Sequence, residues 1–487
     1  MASERSRPYA DRDALLLFAI VLLALGLRLF GLGREGLWYD EAFTLRFARQ
    51  TFGGLYALLV REAWDPPVYP TVVWIWTRLV GAGDWQARLV SALCGTSAVL
   101  VLHGLARELF DRRTADVAAL LAAVSPFLVA YSQEARSYAL LLALLLLMLV
   151  RFVAALPWRA EGSARKAWIQ FVVLAAVATL THYYALFALL SLAIFLALFR
   201  RSFPVPGRRI LGGILLFGAI LAPWLASGVL SAAASQPIAQ LEFTAPWFSV
   251  DARTFLRTMN DFHGGRLEGM LAPAPRWTHP VGAVLFAVPA LLALRPLASR
   301  AAAPGERASL ALLALLWLVP MACLIALGFA RVQFATRYVL FCVAPYLVLA
   351  ARGLVSLRPA LRAPFLGAIV AWSAFSLHAL YTIPHKEDWR GALDELAREV
   401  RPGDGVLFLP FGETPYEWPV YHPDGPELDV VGPDEVATAA CERLWVLTYH
   451  RVAVDDPLAD RARVVVAERR IRVRESDYFL VRLELWE

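Results

Sequence analysis

The sequence predicts a polytopic α-helical membrane protein of about 11 spans, with juxtamembrane helices in its first outer loop and a small C-terminal α/β domain. Three observations carry that prediction. The 487 residues are 59% hydrophobic, against roughly 45–50% in soluble globular chains. Apolar segments long enough to cross a bilayer recur from position 13 to about 381. The net charge is +6, but the Arg residues fall in small clusters between those segments. That is the pattern of cytoplasmic loops, not the contiguous basic surface a nucleic acid would require.

The charge clusters set the order of crossings. Arg5, Arg7 and Arg12 place the N-terminus inside, so the first span, 13–30, exits to the outer face. The stretch 66–82 is apolar but short, rich in aromatic residues (Tyr69, Trp74, Trp76) and interrupted by Arg78, which suits a helix lying in the interface. With it flat, 88–106 returns inward to Arg107, Arg112 and Arg113, and 115–131 exits. The span 138–156 returns to Arg159, Arg165 and Lys166; 167–181 exits; 183–199 returns to Arg200, Arg201, Arg208 and Arg209. The span 210–229 exits into a long outer loop, 230–277, and 278–294 returns to Arg295, Arg300 and Arg307. The span 308–328 exits, 338–351 returns to Arg352, Arg358 and Arg362, and 364–381 exits. A crossing at 66–82 would instead put most basic clusters outside. The first span lacks a small-residue cleavage site and reads as retained. Cys94, Cys323 and Cys342 lie in apolar spans and Cys441 stands alone in the tail, so no disulfide framework or metal spacing follows.

After Pro384 the composition turns to Asp, Glu, Arg and Pro. A helical stretch, 388–400, leads into short β-rich runs at Val406–Leu409, Leu444–Leu447, Arg463–Ala467 and Tyr478–Leu485. The expected organisation is a membrane-embedded module over 1–384 and an extracytoplasmic α/β domain over 385–487.

The polar residues of the membrane region gather at the ends expected on the outer face. Asp40 and Glu41 follow the first span in Leu-Trp-Tyr-Asp-Glu, and Asp65 precedes Pro66-Pro67-Val68-Tyr69. Glu134, Arg136 and Tyr138 lie in Tyr-Ser-Gln-Glu-Ala-Arg-Ser-Tyr, and His182 and Tyr183 in Thr-His-Tyr-Tyr. Then come His263 after Asp261-Phe262, Arg331, the pair Arg337-Tyr338, and Lys386-Glu387-Asp388-Trp389-Arg390. Ionisable groups at membrane depth point to function, and the inner loops hold little besides Arg. Structural readings stand beside the functional ones. The acid pair also suits a helix N-terminus, Glu134 and Arg136 an interfacial ion pair, Arg337 an anchor for lipid phosphate, and His182 an aromatic belt. His263 suits a loop position, and His103, with no acidic neighbour in sequence, suits packing.

These motifs, in this order, resemble bacterial GT-C-type glycosyltransferases related to protein O-mannosyltransferases and the lipid A aminoarabinose transferases. Tyr-Ser-Gln-Glu-Ala-Arg-Ser-Tyr is the most specific piece, and the resemblance covers about 13–390. It implies a GT-C-like fold in the cytoplasmic membrane and transfer, with inversion, of a sugar from a polyprenyl-phosphate carrier to a lipid, glycan or protein acceptor on the extracytoplasmic side. In some relatives the position of Asp65 helps bind a divalent metal. Relatives carry His before Pro-Pro, or Glu-Lys-Pro, where this chain has Asp65-Pro66-Pro67, so Asp65 with His263 is the candidate ligand pair.

Transfer from such a donor needs a base for the acceptor hydroxyl and positive charge for the phosphate. Asp40 is the expected base, with Glu41 orienting the site or serving as second acid. Arg136 and Arg337 are expected on the phosphate. Tyr138, His182 and Tyr183, together with Glu134 and Tyr338 from the same motifs, are expected around donor phosphate and sugar. The rival class is a polyprenyl-lipid flippase or transporter. It predicts polar residues on both faces and repeated, broken helices, and this sequence shows no internal repeat.

Overall fold

The computed structural model describes residues 7–62, 65–156, 161–234, 250–251, 253–265, 278–299, 302–330, 334–410, 412–449 and 456–487. Arg159, Arg300, Arg331 and most of the long loop 230–277 lie outside the described residues. The chain divides into two compact units. One comprises Met1–Phe30, Tyr56–Val72 and Arg88–Ile383, and the other Gly31–Leu55, Val73–Ala87 and Pro384–Glu487. The second unit is thus larger than the C-terminal tail, because two pieces of the first loop belong to it.

The helices in chain order are α1 (Arg7–Leu29), α2 (Tyr39–Ala48), α3 (Phe52–Glu62), α4 (Val68–Val80), α5 (Asp84–Leu109), α6 (Arg112–Val124), α7 (Pro126–Ser132), α8 (Tyr138–Ala155), α9 (Glu161–Thr179), α10 (Ala185–Leu198) and α11 (Gly207–Ala234). They continue with α12 (Thr254–Gly264), α13 (Thr278–Ala298, with a π-helical turn), α14 (Pro304–Phe329), α15 (Thr336–Ser356, opening as a 3-10 helix) and α16 (Pro359–Thr382). Ten of the eleven expected spans each coincide with one of these helices, and 115–131 falls across two, α6 and α7. Seven of them are long and apolar enough by themselves to cross a membrane, and eight if α6 and α7, bent by 57° at Pro126, form one span. Helix α4, the flat candidate, has 13 residues, about 20 Å of rise and too short for a bilayer core.

In the first unit, α6, α8, α14 and α15 form the centre of one continuous apolar core. At the end of the bundle expected inside, Asp111 caps α6 by accepting from the Thr114 amide at 2.9 Å. Arg352 bonds both Asp111 (2.9 Å) and Glu306 (2.6 Å), joining the starts of α6 and α14 to the end of α15. His103, read as packing, bonds Asp116 at 2.9 Å from α5 to α6, a partner 13 residues away that local sequence did not reveal.

The break at Pro126 is capped from α1. Arg28, fully buried, donates to the Ala24, Ala122 and Ala123 carbonyls and to Ser132 Oγ at 3.0–3.2 Å. It therefore satisfies carbonyls that the end of α6 leaves without helical partners. In return Gln133 Nε2 donates to the Leu27, Arg28 and Phe30 carbonyls at the end of α1, the last at 2.7 Å. A Cβ at Gly95 would run into Ser132 Oγ and come within 3.1 Å of Arg28 Nε, so this residue must be glycine for the clamp to close.

The second unit holds α2, then α17 (Trp389–Glu399), β1 (Gly405–Leu409), α18 (Glu417–Tyr421), β2 (Asp429–Val430), β3 (Leu444–Tyr449), α19 (Pro457–Arg469), β4 (Arg472–Tyr478) and β5 (Val481–Trp486). The strands form one sheet in the order β2-β1-β3-β5-β4. Strand β1 runs parallel to β2 and β3, and β5 antiparallel to β3 and β4. Alternation decides the two faces. Val406 and Phe408 bury against α17 with Trp389, Leu393 and Leu396, while Leu407 and Leu409 bury against α19 with Ala459, Ala462 and Val466. The run Arg463–Ala467, expected as strand, is helix. Asp456 accepts from the Leu458 and Ala459 amides at 2.9 and 2.8 Å and Pro457 opens the helix, so a strong N-terminus overrides the preference of Val464–Val466 for strand.

Candidate active site

In the first unit, the end of α7 and the start of α8 carry the Gln133–Ser137 connection, held by the Arg28 and Gln133 clamp. Its backbone is fixed at a second point. Ser91 Oγ donates to the Arg136 carbonyl at 3.3 Å and lies 3.1 Å from the buried Tyr69 hydroxyl. Tyr69 sits on α4, whose Val68 amide donates to the Leu180 carbonyl at 3.0 Å. The Pro-Pro-x-Tyr segment is thereby tied to the end of α9 and to Arg136. The Arg136 guanidinium stands 3.8 Å from the Asp65 carboxylate. Glu134 is fully buried.

The connection between α9 and α10 brings His182 to the same group. Its ring lies 5.9 Å from that of Tyr138, 4.9 Å from Tyr184 and 6.2 Å from Tyr338. The Tyr184 amide donates to His182 Nδ1 at 3.3 Å, so the neutral ring carries its proton on Nε2. Burial first, then the Arg136 and Arg337 charges, push His182 down to about 3. The imidazole is neutral at physiological pH, and the two guanidinium groups both act on it. The Arg337 guanidinium lies 5.5 Å from the Tyr338 ring. Tyr183 faces another way, accepting from Trp224 Nε1 of α11 at 2.9 Å. All seven expected donor-binding residues lie in one unit, and Arg136, Tyr138, Arg337 and Tyr338 gather around His182 there. Tyr184 joins them, and the doubled tyrosine of Thr-His-Tyr-Tyr was its signal.

In the second unit, Asp40 and Glu41 open α2. Glu41 is fully buried and takes the structural reading. Its Oε2 accepts from the Trp38 amide at 3.4 Å and from Lys386 Nζ at 3.3 Å. Asp40 is half-buried beside it. Around the pair, charged residues of the tail meet charged residues of the first-loop segments. His385 Nδ1 lies 3.0 Å from Glu35, and Arg390 donates to Asp84 at 2.6 Å. Tyr449 donates to Glu387 at 2.6 Å. Burial alone would raise the Glu35 carboxyl, but the hydrogen bonds and charge of His385, with the Lys386 charge, bring it down to about 2. Lys386, Glu387 and Glu417 are site-forming residues that sequence reasoning did not assign. The charge-rich Lys386–Arg390 run was the available signal for the first two.

The metal expectation does not fit the residues present. The Asp65 carboxylate faces Arg136. His263 is not in a loop but at the end of α12, buried, with Nε2 2.7 Å from the Tyr346 hydroxyl and its ring stacked on Phe286. Among the described residues, no group of three or more His, Cys, Asp or Glu side chains could hold a metal ion.

Residues 65–226 match the model of the dolichyl-phosphate-mannose-protein mannosyltransferase family. The segment spans less than half of the chain, and it contains Asp65, the Gln133–Tyr138 motif and His182. No curated protein matches the chain in sequence. In structure, the chain is similar to ArnT from Cupriavidus metallidurans bound to undecaprenyl phosphate, with a TM-score of 0.64 at 14% identity over 96% of this chain and 97% of that one. It is also similar to the archaeal oligosaccharyltransferase AglB from Archaeoglobus fulgidus, in complex with an inhibitory peptide and a dolichol-phosphate. There the TM-score is 0.55 at 15% identity over 92% of this chain and 72% of that one. The chain therefore has the GT-C type of fold and is a multi-pass membrane protein.

Proposed function

We propose, from the premise of a GT-C-type fold, that this chain is an integral membrane glycosyltransferase taking a sugar from a polyprenyl-phosphate carrier. The observation that carries the reading is the first-unit cluster, in which Arg136, Arg337 and a neutral His182 with its proton on Nε2 offer charge and donors suited to a phosphate. The family segment and the likeness to a protein holding undecaprenyl phosphate support it.

The chemistry asked of the protein is modest. The leaving group is already a phosphate, so charge stabilisation replaces a general acid, at about 3–4 kcal/mol per well-placed donor. Asp40 takes the proton of the acceptor hydroxyl as the hydroxyl attacks the anomeric carbon and the carbon–oxygen bond to phosphate breaks. Attack opposite the leaving group inverts the anomeric centre. Glu41, held by Lys386, sets the start of α2 and hence the position of Asp40. The acceptor lies on the extracytoplasmic side, and the membrane is the cytoplasmic membrane of a bacterium. No step runs through a metal.

The test uses the purified full chain in lipid, a series of polyprenyl-phosphate hexoses labelled in the sugar, and membrane extract as acceptor pool. Asp40→Asn is expected to lower transfer at least 100-fold while donor binding persists. Near-normal turnover in that variant removes Asp40 from its role. Binding of a donor without transfer, joined to its movement between leaflets in vesicles, would favour the transporter class instead.

A further inference from the structure

Glu417 opens α18 and takes no part in the reading above. Its side chain is fully buried, and outside its own residue, whose amide contributes one hydrogen bond, neither carboxyl oxygen has a hydrogen-bond partner. Helices α2 and α17 pack on α18. From α2 and the segment before α17, the charges acting on Glu417 are those of Asp40 and Glu387, both of its own sign. Tyr39 also faces it, hydrogen-bonded to Tyr416. The cations of these elements bond other groups, and Arg49 at the end of α2 donates to the Val420 carbonyl of α18 at 2.7 Å. Lys386 lies on Glu41, Arg46 lies 4.6 Å from both the Phe43 and Tyr416 rings, and Arg390 lies on Asp84. From α17, Asp394 takes His422.

A carboxylate in such surroundings would be an uncompensated buried charge, and such groups take up a proton instead. We propose that Glu417 is a positioning residue of the acid site, a carboxyl held neutral beside Asp40 whose proton sets the charge in which Asp40 works. This rests on the reading of Asp40 as the base. It gives the C-terminal tail a part in the chemistry, since α18 belongs to that tail. Burial first, with the Glu387 and Asp40 charges and against the hydrogen bond of its own amide, pushes the Glu417 carboxyl up to about 8. It therefore keeps its proton at pH 7 and loses it just above, adding a further negative charge beside Asp40 and Glu387.

Two readouts test this on the full chain in lipid. The first is transfer from a labelled polyprenyl-phosphate hexose between pH 6 and 9.5, each profile scaled to its own maximum. The wild type is expected to lose rate as pH rises through about 8, because the added negative charge repels the anionic phosphate donor. In Glu417→Gln that alkaline fall moves up by at least about one pH unit or disappears. An unchanged fall overturns the proposal. The second is thermal unfolding against pH. A carboxyl raised from 4.5 to about 8 contributes stability that is complete below pH 4.5 and lost as pH rises through about 8. The melting advantage of Glu417→Gln over wild type should grow across that window, to several degrees, and then level off. A constant difference overturns the proposal.

Should Glu417→Gln fail to fold, Glu387→Gln removes one of the two like charges and should move the alkaline fall to lower pH. No movement again counts against the role. Asp40→Asn separates the two readings: normal turnover there defeats the base assignment, while the unfolding comparison still decides where Glu417 holds its proton.

Discussion

The Arg136 guanidinium stands 3.8 Å from Asp65, beyond ideal hydrogen-bond distance, with its backbone pinned through Ser91. The Arg136 charge also acts on His182. Arg136→Ala should weaken binding of a polyprenyl-phosphate sugar about 10- to 100-fold, as expected for a charge-assisted contact. Arg136→Lys should recover only part of this, since an ammonium lacks the planar fork. Titration of binding by calorimetry or filter retention checks both, and equal loss of donor and acceptor affinity would mark the arginine as structural. His182 gives a separate prediction. With its pKa near 3 the ring stays neutral from pH 5 to 8, and the donor is a phosphodiester with no titration in that range. Donor affinity should then show no break near pH 6.5; a break abolished by His182→Gln would show the ring charging. Much of this cluster was legible because its motifs are local. The roles of Tyr183 and His263 were not, since Trp224 and Tyr346 lie 41 and 83 residues away in sequence.

Periodicity and charge placed a helix under every expected span, yet could not show that α6 and α7 break at Pro126 or what satisfies the break. The answer is a pair of side chains, each capping the other's helix. Arg28→Met should leave the Ala122 and Ala123 carbonyls buried without these donors, at about 1–3 kcal/mol each. Thermal unfolding in detergent should show the loss. Gly95→Ala should destabilise as well, because its methyl enters the space of Ser132 Oγ, and Ser132→Gly in that background should restore part of the loss. If the double variant is no better than Gly95→Ala, the close approach does not govern the site. The misread strand at 463–467 teaches the same lesson. Local preference favoured strand over Val464–Val466, but the Asp456-Pro457 start, equally visible in sequence, decided the element.

At the scale of the whole chain, sequence separated a membrane module from a tail at 384/385, but compactness groups the tail with Gly31–Leu55 and Val73–Ala87. The physical reason is charge pairing over more than 300 residues, which no local pattern reports: Glu35 with His385, Glu41 with Lys386, Asp84 with Arg390. Removal of 384–487 would take from these acids their partners His385, Lys386 and Arg390 and uncover the segments that pack with the tail. Limited proteolysis should then cut after Arg46 or Arg49 in the truncated chain and spare the intact one. Acid should act in the same place. The Glu35 contribution is present above its unfolded value of 4.5 and is lost as pH falls through about 2, and His385→Ala should remove it. Arg28 has a last consequence, for biogenesis. Its carbonyl partners on α6 lie 94 and 95 residues downstream. When the ribosome has delivered only the first helix, that helix carries a cation whose distant partners have not yet been synthesised. Until α6 arrives, that arginine can meet its needs only by reaching to the membrane interface, so the first helix is expected to settle into its final position after α6 is inserted.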